Sequence, residues 1–160
     1  MEKVWKKTWQ MACREEELAE VGDHYVYDVA DLSILVVRAA EGELKAFHNV
    51  CLHRSRRIKT HSGRSEELRC PFHGWAWNLD GSLKRMTSPW DFSHVKPKDC
   101  QLPEAQVATW GGFVFINPDL EAESLASYLG DLTEHFDRWP LEKRYKSVHV
   151  ARVLSCNWKV

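Results

Sequence analysis

The sequence lacks the features that would place the chain in a membrane or on a nucleic acid. It contains no run of about eighteen apolar residues, the length that a membrane-spanning helix requires, and residues 1–7 lack the apolar stretch of a secretory signal. The formal net charge is only -1, so no strongly basic surface is expected. These absences predict a cytoplasmic protein that binds neither membranes nor nucleic acids.

Internal repeats and low-complexity tracts are also absent, and cysteine is scarce. The 160 residues suffice for one domain with a packed core. The five cysteines are an odd number that disulfides cannot pair completely, which favours a reducing compartment. Cys13, Cys100 and Cys156 are widely scattered and are predicted to be small buried apolar residues.

The other two cysteines belong to two short motifs that each offer one thiolate and one imidazole. Cys51-Leu52-His53 is followed, after sixteen residues, by Cys70-Pro71-Phe72-His73. In a 2Fe-2S centre of the Rieske type, two cysteines bind one iron and two histidines bind the other. We therefore predict a Rieske 2Fe-2S cluster with Cys51 and Cys70 on one iron and His53 and His73 on the other.

This mixed ligand set has an electrostatic consequence. Two ferric ions, two sulfides and two thiolates sum to zero charge when the histidines are neutral, whereas four thiolates leave the cluster at minus two. An added electron is therefore repelled less, and Rieske potentials lie at roughly -150 to +300 mV, against about -400 mV for plant-type ferredoxins. Such a site passes single electrons and performs no organic chemistry by itself.

Zinc is the main competing interpretation, because two cysteines and two histidines also satisfy a tetrahedral structural site. Common zinc fingers, however, pair cysteine with cysteine and histidine with histidine in the sequence. The alternating order in this chain fits that pattern poorly. Measuring iron and acid-labile sulfide distinguishes the two sites.

Short runs rich in β-branched and aromatic residues, separated by turn residues, predict an antiparallel sheet built from hairpins. The two ligand motifs follow predicted strands and are expected at the tips of neighbouring hairpins. The predicted strands cover residues 9–13, 23–29, 34–38, 44–50, 67–69, 75–78, 106–109, 112–117 and 146–156.

Helix is predicted at two places only, so the fold class is mainly β. Residues 5–8 suggest an amphipathic turn or short helix at the N-terminus. The segment from Leu120 to Trp139 is predicted to be helical, because its apolar positions from Leu125 onward recur with helical spacing, and Pro140 ends the pattern. Residues 91–99, with Pro89 and Pro97 nearby, are predicted to be irregular.

The motifs together resemble a known family. Cys-Leu-His-Arg, Cys-Pro-Phe-His-Gly-Trp, the ten residues 110–119 and the closing Cys-Asn-Trp-Lys are similar to the α subunits of Rieske non-haem iron aromatic-ring-hydroxylating oxygenases. The resemblance covers essentially the whole chain. It implies a Rieske-type antiparallel β domain at 1–120, followed at 121–160 by a connecting helical segment and the first strand of a truncated catalytic domain.

The resemblance also implies partners and a second cofactor. In that family a ferredoxin or reductase supplies electrons, and a mononuclear iron(II) in α subunits that form trimers activates O2 to hydroxylate an aromatic or other substrate. No facial triad of two histidines and a carboxylate can be assigned in these residues, so the chain alone is not expected to turn over substrate. The remaining histidines are predicted to be surface or packing residues: His24, His48, His61, His94, His135 and His149.

A free-standing Rieske-type ferredoxin is the alternative function. Such a carrier needs only the two-hairpin core, whereas the hairpin at 110–119, the helical segment and the terminal Asn157-Trp158-Lys159 resemble the oxygenase. The sequence therefore favours the electron-transfer portion of an oxygenase.

Three features near the motifs each have more than one interpretation. The basic stretch 54–57 either steers an acidic electron donor or pairs with local carboxylates. Gly63 and Gly74 either permit positive φ and close backbone approach or are ordinary turn residues. Trp75 either shields the cluster or forms a subunit contact, or it is simply part of the core.

Overall fold

The computed structural model describes residues 4–157 and consists mainly of antiparallel strands. Residues 158–160, which complete the Asn-Trp-Lys sequence, lie outside the described residues. The strands are β1 (Gln10–Arg14), β2 (Asp23–Val29), β3 (Leu32–Ala40), β4 (Glu43–His48), β5 (Gly63–Arg64), β6 (Leu68–Arg69), β7 (Ala76–Trp77), β8 (Leu83–Arg85), β9 (Glu104–Trp110) and β10 (Phe113–Asn117).

Short helices complete the list of elements. Two are α-helices, α1 (Leu125–Leu129) and α2 (Leu132–Phe136), and the others are 3-10 helices at Glu15–Leu18, Pro89–Phe92, Pro97–Asp99 and Leu141–Lys143. None of the helices in the described part of the chain combines the length and the apolar character that a membrane crossing requires.

The strands form two sheets that confirm the predicted antiparallel architecture. The larger sheet has the order β1-β10-β9-β4-β3-β2-β5, and the smaller one has the order β6-β7-β8. Every pairing is antiparallel. The two-residue strand β5 was not predicted, because Gly63 and Arg64 carry no apolar alternation and join the sheet only through β2.

Strand β3 is buried on both faces and separates two apolar clusters. Side chains alternate along a strand, so Ile34 and Val36 pack into one cluster and Leu35 and Val37 into the other. All four side chains are fully buried. The second cluster also contains Cys51, Cys70 and residues of the small sheet, so the cysteine motifs are anchored in the core.

The hairpin β7–β8 is pressed directly against the large sheet. Its turn contains Gly81 at φ +84, and a Cβ atom there would lie 2.8 Å from Cζ of Phe47. The Leu102 N–H donates to the Gly81 carbonyl (3.0 Å). Only glycine combines this backbone conformation with so close an approach.

Two predictions from periodicity need correction. The helical pattern at 120–139 forms two helices, because Gly130 at φ 49 ends α1 before α2 begins. The strand predicted at 146–156 is not formed among the described residues. Val148, Val150 and Val153 are all exposed, because an alternating apolar sequence becomes a strand only when a partner strand satisfies its backbone groups.

The segment after β10 is nevertheless attached to the edge of the large sheet. The buried Arg14 guanidinium donates to the carbonyls of Gly111, Leu141 and Arg144. Lys146 is paired with Glu17. These contacts hold residues 141–146 against β1, the edge strand. Side chains at this junction, among them Tyr25, Phe113 and Tyr145, line an apolar cavity of about 330 Å³.

Candidate metal centre

The two predicted ligand motifs form loops with matching backbone hydrogen bonds. In the first loop the Cys51 N–H donates to the carbonyl five residues later (2.8 Å), and the Cys51 carbonyl accepts from the Ser55 N–H (2.8 Å). The second loop repeats both bonds around Cys70, with distances of 2.8 Å and, from the Gly74 N–H, 3.2 Å. The fourth residue after each cysteine has positive φ: Ser55 at 55° and Gly74 at 75°.

The prediction of positive φ therefore holds for Gly74 but not for Gly63. Gly63 lies in β5, paired with His24, and a Cβ there would meet only the His24 ring at 3.9 Å. It is a strand residue with ordinary van der Waals space around it. Gly74, in contrast, closes the second ligand loop.

The cysteine side chains point into the core. Cys51 is 2% exposed and Cys70 is 1% exposed. Burial raises the pKa of the Cys51 thiol, backbone N–H groups of His53 and Arg54 directed at its sulfur lower it, and the adjacent Cys70 thiol raises it further. The two sulfurs are thus close together, and amide donors are already placed to stabilise thiolate.

The histidine rings lie next to each other. The ring centroids of His53 and His73 are 4.7 Å apart at an interplanar angle of 65°. Burial lowers the pKa of His53, with smaller contributions from His73 and Arg54. The neutral imidazole that this favours is the form that binds a metal.

One buried atom tests whether these residues fit a metal cluster. Nδ1 of His53 is inaccessible and has no hydrogen-bond partner within residues 4–157. Leaving a buried polar atom unpaired costs about 1–3 kcal/mol, and an iron bound at Nδ1 would remove that cost. The residues present therefore fit a metal centre.

The two sulfurs form one close pair and the two imidazoles form another. Among the described residues, no three His, Cys, Asp or Glu side chains are placed to hold a single ion. A structural zinc needs four ligands around one point, whereas each iron of a Rieske cluster takes two protein ligands. The arrangement fits the two-iron centre better.

Two aromatic rings enclose His53. Trp75 is 3% exposed, and its indole stacks on the His53 imidazole with centroids 5.1 Å apart and planes at 8°. Phe92 meets the same imidazole edge-on at 5.3 Å. The sequence drew attention to Trp75 but not to Phe92, because Phe92 lies in an irregular region without periodicity.

Asn49 braces the first loop and was not predicted from the sequence. Its Oδ1 accepts from the N–H groups of Ile58 and Lys59, both at 3.0 Å. Its Nδ2 donates to Ser33 Oγ (3.0 Å) and to the Lys59 carbonyl (2.7 Å). A polar residue between buried Phe47 and Cys51 was the available signal.

The basic stretch 54–57 lies on the exposed side of the first loop. Arg57 pairs with Asp28 at 2.8 Å, and both side chains are more than 40% exposed. Local pairing, the second of the two interpretations, thus applies to Arg57. Apolar side chains are exposed on both loops as well, with Leu52 at 39% and Phe72 at 57%.

The six remaining histidines divide by burial. His24 and His48 are inside the fold, and burial lowers the pKa of each. The other four are exposed. The predicted division into packing and surface residues agrees with these positions.

The chain is similar to known proteins over most or all of its length. The family profile described as Rieske [2Fe-2S] domain matches residues 8–96. Choline monooxygenase from the chloroplast of Beta vulgaris is 32% identical over an alignment of 165 positions that covers 100% of this chain and 37% of that protein. The biphenyl dioxygenase α subunit of Paraburkholderia xenovorans is 30% identical and covers 99% of this chain and 38% of its own length.

A solved structure agrees with these relatives. The apo crystal structure of the quaternary ammonium Rieske monooxygenase CntA superposes with a TM-score of 0.80 at 29% identity, covering 86% of this chain and 40% of that one. This chain spans well under half the length of the curated relatives it matches. It corresponds to their N-terminal, Rieske-domain portion. The chain belongs to the Rieske [2Fe-2S] domain family, as the portion found in Rieske oxygenase α subunits.

Proposed function

We propose that this chain binds its 2Fe-2S cluster through Cys51 and Cys70 on one iron and His53 and His73 on the other, and that it relays electrons within a hydroxylating oxygenase. A cluster held in this way accepts and passes one electron at a time. In this proposal a ferredoxin or reductase supplies the electrons. The cluster then passes the electrons to a mononuclear iron in the remaining part of an α subunit. That α subunit assembles with further α subunits.

The observation that supports this ligand set most is the placement of the four donors by two matching loops. Both cysteines are buried in one apolar cluster, and the two imidazoles are 4.7 Å apart. His53 Nδ1 is a buried atom that needs a partner. Two cysteines on one side and two histidines on the other are what the Rieske arrangement requires.

The surrounding residues have distinct tasks in this proposal. Backbone N–H groups of His53 and Arg54 are directed at the Cys51 sulfur and would stabilise the thiolate of a metal-bound cysteine. The second loop is fixed from outside by Thr87, whose hydroxyl donates to the His73 carbonyl (2.7 Å). Trp75 and Phe92 keep water from one side of His53.

The relatives support an oxygenase portion over a free-standing carrier. The Rieske domain profile ends at residue 96, yet the match to choline monooxygenase covers 100% of the chain. We assign residues 1–120 to the Rieske unit and 121–160 to a connecting segment. Trp9 Nε1, which donates to the Glu123 carbonyl (2.9 Å), and the contacts of Arg14 fasten that segment to the sheet.

The exposed edge of the two ligand loops is the proposed docking site of the electron donor. Leu52 and Phe72 offer apolar area, and the basic stretch 54–57 offers positive charge for an acidic partner. We expect Arg56→Glu to slow reduction by an acidic ferredoxin and to weaken its salt dependence. Arg138→Glu, the same charge change beyond α2, is the control and should leave both unchanged. Equal rates for wild type and Arg56→Glu would refute electrostatic docking at this edge.

The ligand set is tested by single substitutions in the purified chain. Cys70→Ala and His73→Ala should each abolish the visible absorption of the cluster and the binding of iron and acid-labile sulfide. Cys100→Ala is the matched control, because Cys100 is a buried cysteine of the same apolar cluster but is not a proposed ligand. Retention of iron and sulfide by Cys70→Ala, or their loss in Cys100→Ala, would contradict the assignment.

A further inference from the structure

The two proposed histidine ligands have different surroundings. His53 is stacked on the buried Trp75 and meets Phe92 edge-on. His73 instead packs against Phe72, with centroids 3.8 Å apart, and Phe72 is itself 57% exposed. One imidazole is therefore held by one buried and one half-buried ring, and the other by a ring that faces solvent.

Trp75 is a rigid support for the ring that it touches. Only 3% of it is exposed, and it packs in the same core cluster as Leu68 and Trp77. Its carbonyl accepts the Cys70 N–H at 2.8 Å, so its backbone belongs to the second ligand loop. A side chain from one loop thus holds the histidine of the other.

Phe92 closes the adjacent side of His53. Its ring is perpendicular to both His53 and Trp75, with centroids 5.3 and 5.2 Å away. Phe92 is fixed by the 3-10 helix Pro89–Phe92 and by the hydrogen bond from the Val95 N–H to its carbonyl (2.8 Å). The two rings that contact His53, Trp75 and Phe92, are therefore each carried by backbone that is fixed by hydrogen bonds.

The plane of an imidazole is not fixed by its own covalent geometry. Rotation about the bond between Cβ and the ring is a broad torsion without sharp staggered minima, so packing must choose the angle. A stacked neighbour with planes at 8° restricts that torsion to two orientations related by a ring flip, and in the orientation present Nδ1 is buried. Groups around metal ligands set ligand orientation, and through it the properties of the metal.

We propose that Trp75 is a positioning residue that fixes the imidazole plane of His53 toward its iron, with Phe92 as the side wall. This inference rests on the proposed ligand set. It assigns the effect to the aromatic plane of Trp75 and not to its N–H group. Because the contact crosses from the second loop to the first, it also holds the two loops in one relative orientation.

The test uses three variants of the iron-loaded chain. It measures the hyperfine couplings between the histidine 14N nuclei and the reduced cluster, and the midpoint potential of the cluster. Trp75→Leu removes the plane and should broaden the couplings of one histidine and shift the potential. Trp75→Phe keeps a plane and should restore both. Trp77→Phe is the matched control, because it alters a buried tryptophan that hydrogen-bonds the Cys100 carbonyl (2.8 Å) and is not in ring contact with His53.

Several outcomes would overturn the inference. If Trp75→Leu has the same 14N couplings and midpoint potential as wild type, the stacked indole does not position His53. An equal change in Trp75→Phe would assign the effect to the indole N–H, and an equal change in Trp77→Phe would assign it to core packing. If Trp75→Leu fails to load iron, Phe92→Leu provides the same comparison from the second wall, and a wild-type spectrum there refutes the proposal.

Failure of the ligand set would be distinguishable from failure of this inference. If the spectrum of the wild-type chain lacks two classes of strongly coupled nitrogen, the ligand set itself is refuted. Wild type with both classes and a Trp75→Leu variant identical to it would refute only the positioning role of Trp75.

Discussion

Replacing Asn49 with alanine is expected to destabilise the first ligand loop more than any exposed polar substitution in the chain. Asn49 is 3% exposed and makes four side-chain hydrogen bonds, two through Oδ1 and two through Nδ2. Removing it leaves the N–H groups of Ile58 and Lys59 without their acceptor. Each bond contributes a net 0.5–1.5 kcal/mol, so the four together contribute about 2–6 kcal/mol.

The lower half of that range is the better expectation. Ser33 and Lys59 are half-buried, so water can replace part of what they lose. We expect about 3 kcal/mol of lost stability, which for a chain of this size lowers Tm by about 6–12 °C. The cluster should also be lost faster, because Asn49 connects the strand before Cys51 with the segment after the loop.

Thermal unfolding followed by circular dichroism measures this effect. Asn78→Ala is the matched control: Asn78 is exposed in the turn of the hairpin β7–β8, and its Nδ2 donates once, to Ser82 Oγ (2.9 Å). The control should change stability by less than about 1 kcal/mol. If Asn49→Ala and Asn78→Ala unfold at the same temperature, the bracing role of Asn49 is wrong.

Two further predictions concern stability. Gly81→Ala should cost about 1–3 kcal/mol more than Gly42→Ala, because both glycines have positive φ but only the new Cβ at 81 meets Phe47; equal denaturation midpoints would refute the clash. Burial keeps the folded pKa of His24 and His48 below the ordinary value of 6.5, so the unfolded chain binds protons more readily and stability falls as pH drops below about 6.5. His24→Gln should lose less stability than wild type between about pH 7.5 and pH 5.5, and an identical pH profile would contradict this.

The ligand motifs and most strands were predictable because their signals are local. The residue types and spacing at 51–53 and 70–73 are specific, and alternation along 23–29 and 112–117 identifies β2 and β10. Phe92 could not be predicted, since its importance arises from contacts with residues distant in sequence. At Asn49 the sequence offers only a polar residue beside apolar ones and does not show the four hydrogen bonds that it makes. Alternation at 146–156 was misleading for the same reason: a strand depends on a partner that local sequence does not supply.

The central claim is that two sulfur and two nitrogen donors of this chain hold one two-iron cluster. The most direct measurement is 14N electron–nuclear spectroscopy of the anaerobically purified, dithionite-reduced chain, combined with its iron and acid-labile sulfide content. We expect two irons and two sulfides per chain and two nitrogen couplings in the wild-type cluster, and we expect neither iron nor a cluster signal in His53→Ala or His73→Ala. Zinc in place of iron, or an iron signal without nitrogen couplings, would contradict it.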